Sequence, residues 1–285
     1  LGDTYYDNQL FIDVRDLDED IIKNYDSVVC LAAISNDPIG KDFEIATNSI
    51  NFQSTIRLAN LCAKNGIKKF IFASSCSIYG SASDYPRIED DEKNPLTAYS
   101  KSKVAVEEKL RQDFGNSSME IFCLRFSTAC GCSDRLRLDL VLNDFVASGI
   151  KYGEIAILSD GNPLRPLIDV KDMSKAIVWA LKYKDMNLNL QNPKNIICIN
   201  IGCNEWNFKV IDLARKVKEQ LPNTKININE NASPDKRSYR VNFDLFKSIG
   251  GDFYPKKNIN TTIHELIEQI KKIEFITSNF RDSNF

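Results

Sequence analysis

The stretch Lys69-Phe70-Ile71-Phe72-Ala73-Ser74-Ser75 decides the fold. Its apolar middle predicts a strand that is covered on both faces, as in a parallel sheet. Another apolar run, at residues 28–33, precedes it, and a segment with helical spacing of apolar residues lies between the two at residues 43–64. The order strand, helix, strand indicates a βαβ unit. The sequence therefore predicts an α/β protein that contains a parallel sheet.

The same alternation continues toward the C-terminus. A helix at residues 98–111 and a strand at 119–125 complete three successive parallel strands. Beyond Gly131 the predicted elements are a helix at 140–147, strands at 155–158 and 196–201, and helices at 172–184, 209–220 and 262–272. We expect a Rossmann-like doubly wound parallel sheet in residues 1–150 and a smaller C-terminal substrate-binding lobe in residues 151–285, with strands and helices exchanged between them.

Composition excludes several classes of function. The 285 residues contain 37 Lys and Arg against 39 Asp and Glu, which gives no overall charge that would attract nucleic acid or an anionic membrane. No apolar run is long enough to span a bilayer, and no signal-peptide pattern is present. One histidine, His264, leaves little room for histidine-based triads or zinc sites, so no metal site is predicted. Eight scattered cysteines are read as reduced thiols, which favours a cytoplasmic location.

Three residues form a candidate catalytic group. Tyr99 and Lys103 are four positions apart on a predicted helix and share one face of it. Ser75 ends a predicted strand, at the carboxyl edge of the sheet, where open α/β folds bind ligands. A phenol with a pKa of about 10 is a weak proton acceptor at neutral pH, and a neighbouring ammonium lowers that pKa. The combination is typical of an enzyme that oxidises a secondary alcohol, with Ser75 hydrogen-bonded to the reacting oxygen.

Several ordered motifs carry a family resemblance. They include Ser74-Ser75-Cys76-Ser77-Ile78-Tyr79-Gly80, the Tyr99 and Lys103 pair, Leu31-Ala32-Ala33, Leu124-Arg125, and residues 165–172 and 235–240. Together they resemble the extended short-chain dehydrogenase/reductase family, and within it the nucleotide-sugar epimerase/dehydratase group. Residues 135–145 are similar to a branch that includes GDP-heptose-modifying enzymes of surface polysaccharide pathways.

The resemblance implies NAD as cofactor, a nucleotide-diphosphate sugar as substrate, and a role for each matching residue. Tyr99 would transfer the proton, Lys103 would lower its pKa and hold the nicotinamide ribose, and Ser75 would be the hydroxyl partner. The other implied cofactor residues are Asp13 and Val14 near adenine, Leu31, Ala32 and Ala33 at a strand end, Asn51 on a helix, and Ser74. The implied substrate residues are Ser77, Thr128, Arg137, Arg165 and Arg240, of which the last two would lie near the diphosphate. Structural roles remain possible alternatives: Asp13 as an acidic residue of a turn, Asn51 as a residue on the surface of a helix, and Arg165 as a solvated charge in a loop.

Two departures from the family pattern refine these expectations. Cys76-Ser77 stands where dehydratases of the group carry an Asp-Glu pair, so 4-epimerisation or simple 4-oxidation/reduction is favoured over 4,6-dehydration. No Gly-rich dinucleotide loop occurs, and the first residues are read as the approach to a strand that bears Asp13. We therefore expect that one βαβ unit is missing ahead of Leu1.

Two further hypotheses and one assembly state remain open from the sequence. The chain could be a non-catalytic member that binds nucleotide sugars, or an NADPH-dependent keto-sugar reductase. The resemblance also implies a homodimer, paired through the helices near residues 48–64 and 99–111. Burial inside the single chain is the competing explanation for the apolar stripes of those helices.

Overall fold

The computed structural model describes residues 7–35, 40, 42–80, 85–188, 193–229 and 238–273. The strands in this part of the chain are β1 (Ser27–Cys30), β2 (Lys69–Ser75), β3 (Glu120–Phe126), β4 (Thr128–Cys130), β5 (Glu154–Ile157), β6 (Leu164–Asp169), β7 (Ile196–Ile201), β8 (Asn207–Lys209) and β9 (Lys225–Ile228). The α-helices are α1 (Glu19–Ile22), α2 (Glu44–Asn48), α3 (Ser54–Lys64), α4 (Ala98–Phe114), α5 (Val141–Tyr152), α6 (Val170–Lys182), α7 (Val210–Gln220), α8 (Asp244–Ile249) and α9 (Ile259–Ile270).

A central sheet of four parallel strands has the order β1-β2-β3-β7. In β2, Phe70 and Phe72 point into one apolar core, together with residues of α3 and α4. Ile71, between them, points into a second core on the other face, which includes Trp179 of α6 and Phe246 of α8. Successive side chains of a strand point to opposite faces, so a continuously apolar β2 is the pattern that a sheet with helices on both faces requires. The predicted α/β, doubly wound architecture is confirmed.

Two smaller sheets lie toward the C-terminal part of the chain. β4, β6 and β8 form one, and β5 and β9 form the other. They share a core with α5, α7 and α9, built on residues such as Phe145, Trp206 and Leu266. β7 belongs to the segment predicted to form the smaller lobe, yet it pairs with β3 in the central sheet. The division at residue 150, and the exchange of strands across it, stay predictions.

The helices and strands that were predicted agree with the structure to within a few residues at each end. The structure also contains α1, β4, β6, β8, β9 and α8, which were not predicted as secondary structure. The predicted helix at residues 43–64 is interrupted by a π-helical turn, Ser49–Gln53, between α2 and α3. The strand expected at Asp13 is wrong, because this residue has extended backbone but caps a 3-10 helix, Val14–Asp16, and pairs with no described strand. Leu1 and residues 235–237 lie outside the described residues.

The remaining sequence expectations concern thiols, membrane spans and helix faces. All eight cysteines are free, and seven of them are buried. Within the described residues, no helix has the length and apolar character needed to cross a bilayer. Leu58, Ala59 and Cys62, which form the apolar stripe of α3, are buried inside the single chain. Burial therefore accounts for that stripe, and the homodimer stays a prediction.

Candidate active site

A cavity of 910 Å³ opens at the carboxyl ends of β1, β2 and β3. This volume is within the range of small-molecule and cofactor sites, roughly 300 to 1,000 Å³. The end of β2 and the 3-10 helix Cys76–Tyr79 line one side of it, the first turn of α4 lines another, and the loop before α5 closes a third. Crevices at this edge of a parallel sheet are the usual ligand sites of open α/β folds.

Tyr99 and Lys103 meet at the cavity wall on the first turns of α4. Thr97 caps this helix, and its side chain and that of Ser100 each accept a hydrogen bond from the other's backbone N–H. The Lys103 ammonium is buried and donates to the carbonyl of Ala73 at 2.7 Å. It lies 5.2 Å from the centre of the Tyr99 ring and 4.6 Å from that of Phe72. A cation at this distance from an aromatic ring is attracted to it, so Lys103 is held beside the phenol.

Burial lowers the pKa of Lys103 to about 8, because the attraction of Glu107 compensates only in part for the lost hydration of the ammonium. The nearest acid on the same helix face, Glu107, is engaged elsewhere. Lys103 is therefore a cation near neutral pH that loses its proton more readily than an exposed lysine. Its charge state therefore changes with pH around 8.

Glu107 forms a buried ion pair beneath the site. Both its carboxylate and the guanidinium of Arg125 on β3 have fully buried side chains, with contacts of 3.0 Å from Nε to Oε1 and 2.8 Å from Nη2 to Oε2. The hydroxyl of Ser74 also donates to Oε1 at 2.6 Å. Burial raises the pKa of Glu107, but Arg125 and Ser74 outweigh that effect and the pKa lies below its ordinary value. The pair ties α4 to the strand that ends at the cavity.

The contacts of α4 with the sheet repeat every four residues. Tyr99, Lys103, Glu107 and Arg111 lie on one face of the helix, as their i, i+4 spacing requires. Arg111 extends the series by donating from Nη2 to Cys198 Sγ on β7 at 3.4 Å. Three consecutive turns thus contact β2, β3 and β7, and Tyr99 stands at the cavity end of the series.

Ser75 lies where β2 ends and the 3-10 helix Cys76–Tyr79 begins. Its Oγ caps this helix by accepting from the backbone N–H of Ser77 at 3.2 Å. The hydroxyl of Ser77 donates to the same oxygen at 2.9 Å. Both serines line the cavity. Cys76, between them, is fully buried and its thiol contacts the Arg125 carbonyl at 3.0 Å.

Asn51 holds the loop that follows β1. It lies in the π-helical turn, is buried, and accepts from Ile34 N at 2.7 Å while donating to Ile34 O at 3.0 Å. Single π-helical turns within helices are frequent at functional sites. The same loop places Leu31 and Ala33 at the cavity wall. Asn51 therefore acts on the loop backbone, which a surface position on the helix would not do.

Arg137 bridges two sides of the cavity. Its Nη1 donates to Ser35 Oγ at 2.8 Å, on the loop after β1, and its Nε donates to Asp139 Oδ1 at 3.0 Å. The loop that carries Arg137 is fastened by Asn143 of α5, which accepts from Gly131 N at 3.0 Å and donates to Arg137 O at 2.8 Å. A guanidinium is thus fixed at the wall, where it can meet an anionic or polar ligand.

The structure brings most of the predicted site residues together. The cavity wall includes Ser75, Tyr99, Lys103, Leu31, Ala33, Ser74, Ser77, Thr128, Arg137 and Arg165. Among the described residues it does not include Asp13, Val14, Ala32, Asn51 or Arg240. The hydroxyl of Ser74 is directed at Glu107 and not at the cavity. Asp13 caps the 3-10 helix and pairs with Arg15 at 2.8 Å, and Arg240 is exposed.

Three residues that hold the catalytic group or the cavity wall in place were not predicted from the sequence. Glu107 continues the spacing of Tyr99 and Lys103 by one more turn, and this signal is visible in the sequence. Ser35 gave no such signal, because it is 102 residues from Arg137 in the sequence. Asp139 is two residues from Arg137, but the residue types alone do not show that the two side chains pair at the cavity.

Comparisons with known proteins identify relatives of this chain. Residues 5–196 match the model of the "NAD dependent epimerase/dehydratase family". A provisionally assigned UDP-glucose 4-epimerase of Methanocaldococcus jannaschii is 30% identical over 63% of this chain and 60% of its own length. The UDP-glucose 4-epimerase of Lacticaseibacillus casei is 26% identical over 70% of this chain and 63% of its own length. The chain thus spans about three fifths of these relatives.

A solved structure adds a likeness in fold. The UDP-glucuronic acid 4-epimerase from Bacillus cereus, in complex with UDP-glucuronic acid and NAD, superposes with a TM-score of 0.77. It is 22% identical, and the match covers 92% of this chain and 80% of that one. The likeness supports the Rossmann-type arrangement of the sheet and helices. The family model covers well over half of the residues and includes Ser75, Tyr99 and Lys103, and the chain therefore belongs to the NAD-dependent epimerase/dehydratase family.

Proposed function

We propose that this protein oxidises the C4 hydroxyl of a nucleotide-activated sugar with NAD, and acts as a 4-epimerase or as a 4-oxidase/reductase. The observation that carries the proposal is the buried Lys103 ammonium, 5.2 Å from the ring of Tyr99, at a cavity whose wall also includes Ser75. Among the relatives, UDP-sugar 4-epimerases support epimerisation. Surface polysaccharide or deoxysugar synthesis in the cytoplasm is the setting we propose for it.

Each of the three residues has one task. Tyr99 takes the proton of the C4 hydroxyl and returns it when the keto group is reduced. Lys103 stabilises the phenolate by its charge, and the bond to Ala73 O keeps its ammonium in place. Ser75 hydrogen-bonds the C4 oxygen and orients it. Proton transfer and orientation both come from side chains on two rigid elements, α4 and β2.

The residues at the wall fit the nicotinamide-ribose end of a dinucleotide. The buried Lys103 offers N–H donors to a ribose, while Leu31 and Ala33 add apolar surface on a loop whose backbone Asn51 fixes. When bound, NAD supplies the hydride acceptor and donor for C4. The protein holds the sugar, moves the proton and excludes water around it.

Cations at the other side of the wall suit a nucleotide diphosphate. Arg137 and Arg165 both line the cavity, and a guanidinium attracts phosphate oxygens. The Nε and Nη2 groups of Arg137 bind the Asp139 carboxylate, so a phosphate would meet its Nη1 side. Arg165 is on β6 and its Nη1 also donates to the backbone carbonyl of Leu164 at 2.9 Å. Thr128, on β4, adds a hydroxyl at the same wall.

The residue after Ser75 argues against dehydration. Burial raises the pKa of the Cys76 thiol well above its ordinary range, so this residue cannot act as a base near neutral pH. Ser77 follows it, and a serine hydroxyl is a poor proton acceptor without a base beside it. Loss of water from a keto sugar needs an acid and a base at adjacent carbons, so we favour 4-epimerisation over 4,6-dehydration.

The test is turnover by the purified protein with NAD and a panel of nucleotide sugars, followed by NMR of the C4 position. We expect a 4-epimer or a 4-keto product, and we expect Tyr99→Phe to abolish turnover with an unchanged melting temperature. Tyr25→Phe, which changes a tyrosine that is 55% exposed, is the matched control. Full activity of Tyr99→Phe contradicts the proposal. A comparison of NADH with NADPH separates it from a keto-sugar reductase.

A further inference from the structure

We propose that Ser77 is a positioning residue that makes Ser75 a hydrogen-bond donor only. Ser77 occupies both acceptor sites of the Ser75 hydroxyl, so that the Ser75 proton is the one group left for the reacting oxygen. This inference rests on the proposed function, because it concerns the hydroxyl that meets the sugar. It gives Ser77 a role other than contact with the substrate.

Two hydrogen bonds to the Ser75 hydroxyl oxygen support this proposal. Its Oγ accepts from Ser77 N at 3.2 Å and from Ser77 Oγ at 2.9 Å. A serine hydroxyl offers one donor and two acceptor lone pairs. Both lone pairs are therefore used within two residues of the chain. The hydrogen-bonding group of the Ser75 side chain that remains is its own O–H donor, and Ser75 lines the cavity.

The turn that carries Ser77 is fixed on both sides. Burial of Cys76, with its thiol 3.0 Å from the carbonyl of Arg125, anchors the residue before it. The residue after it, Ile78, is buried, and its carbonyl accepts from Asn94 N at 2.9 Å. The Ser77 carbonyl itself accepts from Gly80 N at 3.2 Å. Ser77 is thus held in a rigid 3-10 helix, and the orientation of Ser75 is built into the fold before substrate binds.

A donor-only hydroxyl has a specific chemical consequence. It stabilises an oxygen on which negative charge grows, such as the C4 oxygen as it loses its proton to Tyr99. It does not accept the proton, because its lone pairs are occupied. Ser75 and Tyr99 therefore have different tasks, with the proton accepted by the phenol and the charge stabilised by the serine. Without the Ser77 hydroxyl, one lone pair of Ser75 is free and its O–H can rotate away from the substrate.

The test is a double-mutant cycle with Ser77→Ala, Ser75→Ala and the double variant. We expect Ser77→Ala to lower kcat about fivefold to tenfold, the loss of one oriented hydrogen bond, with KM changed by less than about twofold. Ser77→Thr keeps the hydroxyl and restores kcat. In the Ser75→Ala background, Ser77→Ala changes kcat no further, since it acts through Ser75. Ser174→Ala, whose hydroxyl bonds only within α6 among the described contacts, is the matched control.

Each outcome of the cycle decides a question. An equal loss from Ser77→Ala in both backgrounds means that Ser77 contacts the substrate directly, and this overturns the inference while the proposed function stands. Unchanged kcat in Ser77→Ala overturns it as well. A parent protein with no turnover on any nucleotide sugar overturns the proposed function and this inference with it. Melting temperatures within the control's range show that the variants are folded.

Discussion

Glu107→Gln is the substitution whose effect can be worked out most fully. It removes the negative charge from a carboxylate that is completely buried and faces the equally buried guanidinium of Arg125 at 2.8 Å. Lys93 Nζ and Arg111 Nη2 also lie 3.9 Å from the same Oε2 atom. Three cations therefore share this one anion, and the glutamine amide would turn a donor toward one of them.

The expected cost follows from the burial of the pair. Breaking a buried ion pair by neutralising one partner costs about 3 to 5 kcal/mol, because the other charge is left uncompensated. With an unfolding entropy of about 2.1 cal/mol/K per residue, 285 residues give roughly 0.6 kcal/mol/K. The melting temperature should then fall by about 5 to 8 °C.

Thermal unfolding followed by circular dichroism or calorimetry measures this shift. Asp113→Asn is the matched control on the same helix, because it breaks the exposed Lys109–Asp113 pair, whose side chains are 41% and 29% exposed. Exposed i, i+4 pairs contribute about 0.3 to 0.5 kcal/mol, so the control should shift the melting temperature by less than about 1 °C. If Glu107→Gln shifts it no more than the control, the energetic reasoning about the pair is refuted.

Two further measurements examine the same pair. In a Glu107→Met/Arg125→Met variant neither charge is left alone, so the loss should be smaller than the sum of the two single losses. The pH dependence of stability tests the same Glu107–Arg125 pair. The pKa of Glu107 is held below its usual 4.5 in the folded protein, so its contribution to stability is complete above that value. The contribution is lost as pH falls through the lowered pKa, and Glu107→Gln should be less sensitive to acid than the parent.

The remaining predictions concern charge, backbone and binding. kcat/KM should fall as pH rises through about 8, because Lys103 then loses the charge that supports the phenolate; a flat profile from about pH 7 to about pH 9.5 contradicts this. Gly80→Ala should lower the free energy of unfolding by more than about 2 kcal/mol, since φ is +65° and the new Cβ would lie 1.6 Å from Asn94 O; denaturant unfolding measures it. Arg137→Gln should raise KM for the nucleotide sugar about tenfold, because it removes a cation proposed to meet the diphosphate and breaks its pair with Asp139; an unchanged KM in steady-state kinetics refutes this.

The central sheet could be predicted from the sequence because β2, β3 and β7 have six or seven residues each and are mostly apolar on both faces. Four of the first five residues of β2 and five of the six residues of β7 are apolar, and the helices that follow β1 and β2 have buried apolar faces. β4 and β8 are three residues each, too short to show a period. β6 contains Arg165 and Pro166, which break the apolar run, and it pairs in opposite directions with β4 and β8.

The candidate site could be predicted only where its parts are close in the sequence. Tyr99 and Lys103 share a helical turn, so their spacing was sufficient. The ion pair of Glu107 depends on Arg125, which is 18 residues away on a strand. The residue type of an acid on a helix does not show whether its side chain is buried or solvated. The Ser77 hydrogen bond to Ser75 is local, but its direction depends on a turn geometry that residue types do not specify.

The four-residue repeat on α4 limits how this segment can vary in length. Each residue of an α-helix turns by about 100°, so one residue inserted or deleted between Tyr99 and Arg111 would rotate the rest of that face away from the sheet. The contacts with Ala73, Arg125 and Cys198 would then be out of register with the phenol. In directed evolution, substitutions on the outer face of this helix should survive, while frame-preserving insertions and deletions should be tolerated in the loops and not here.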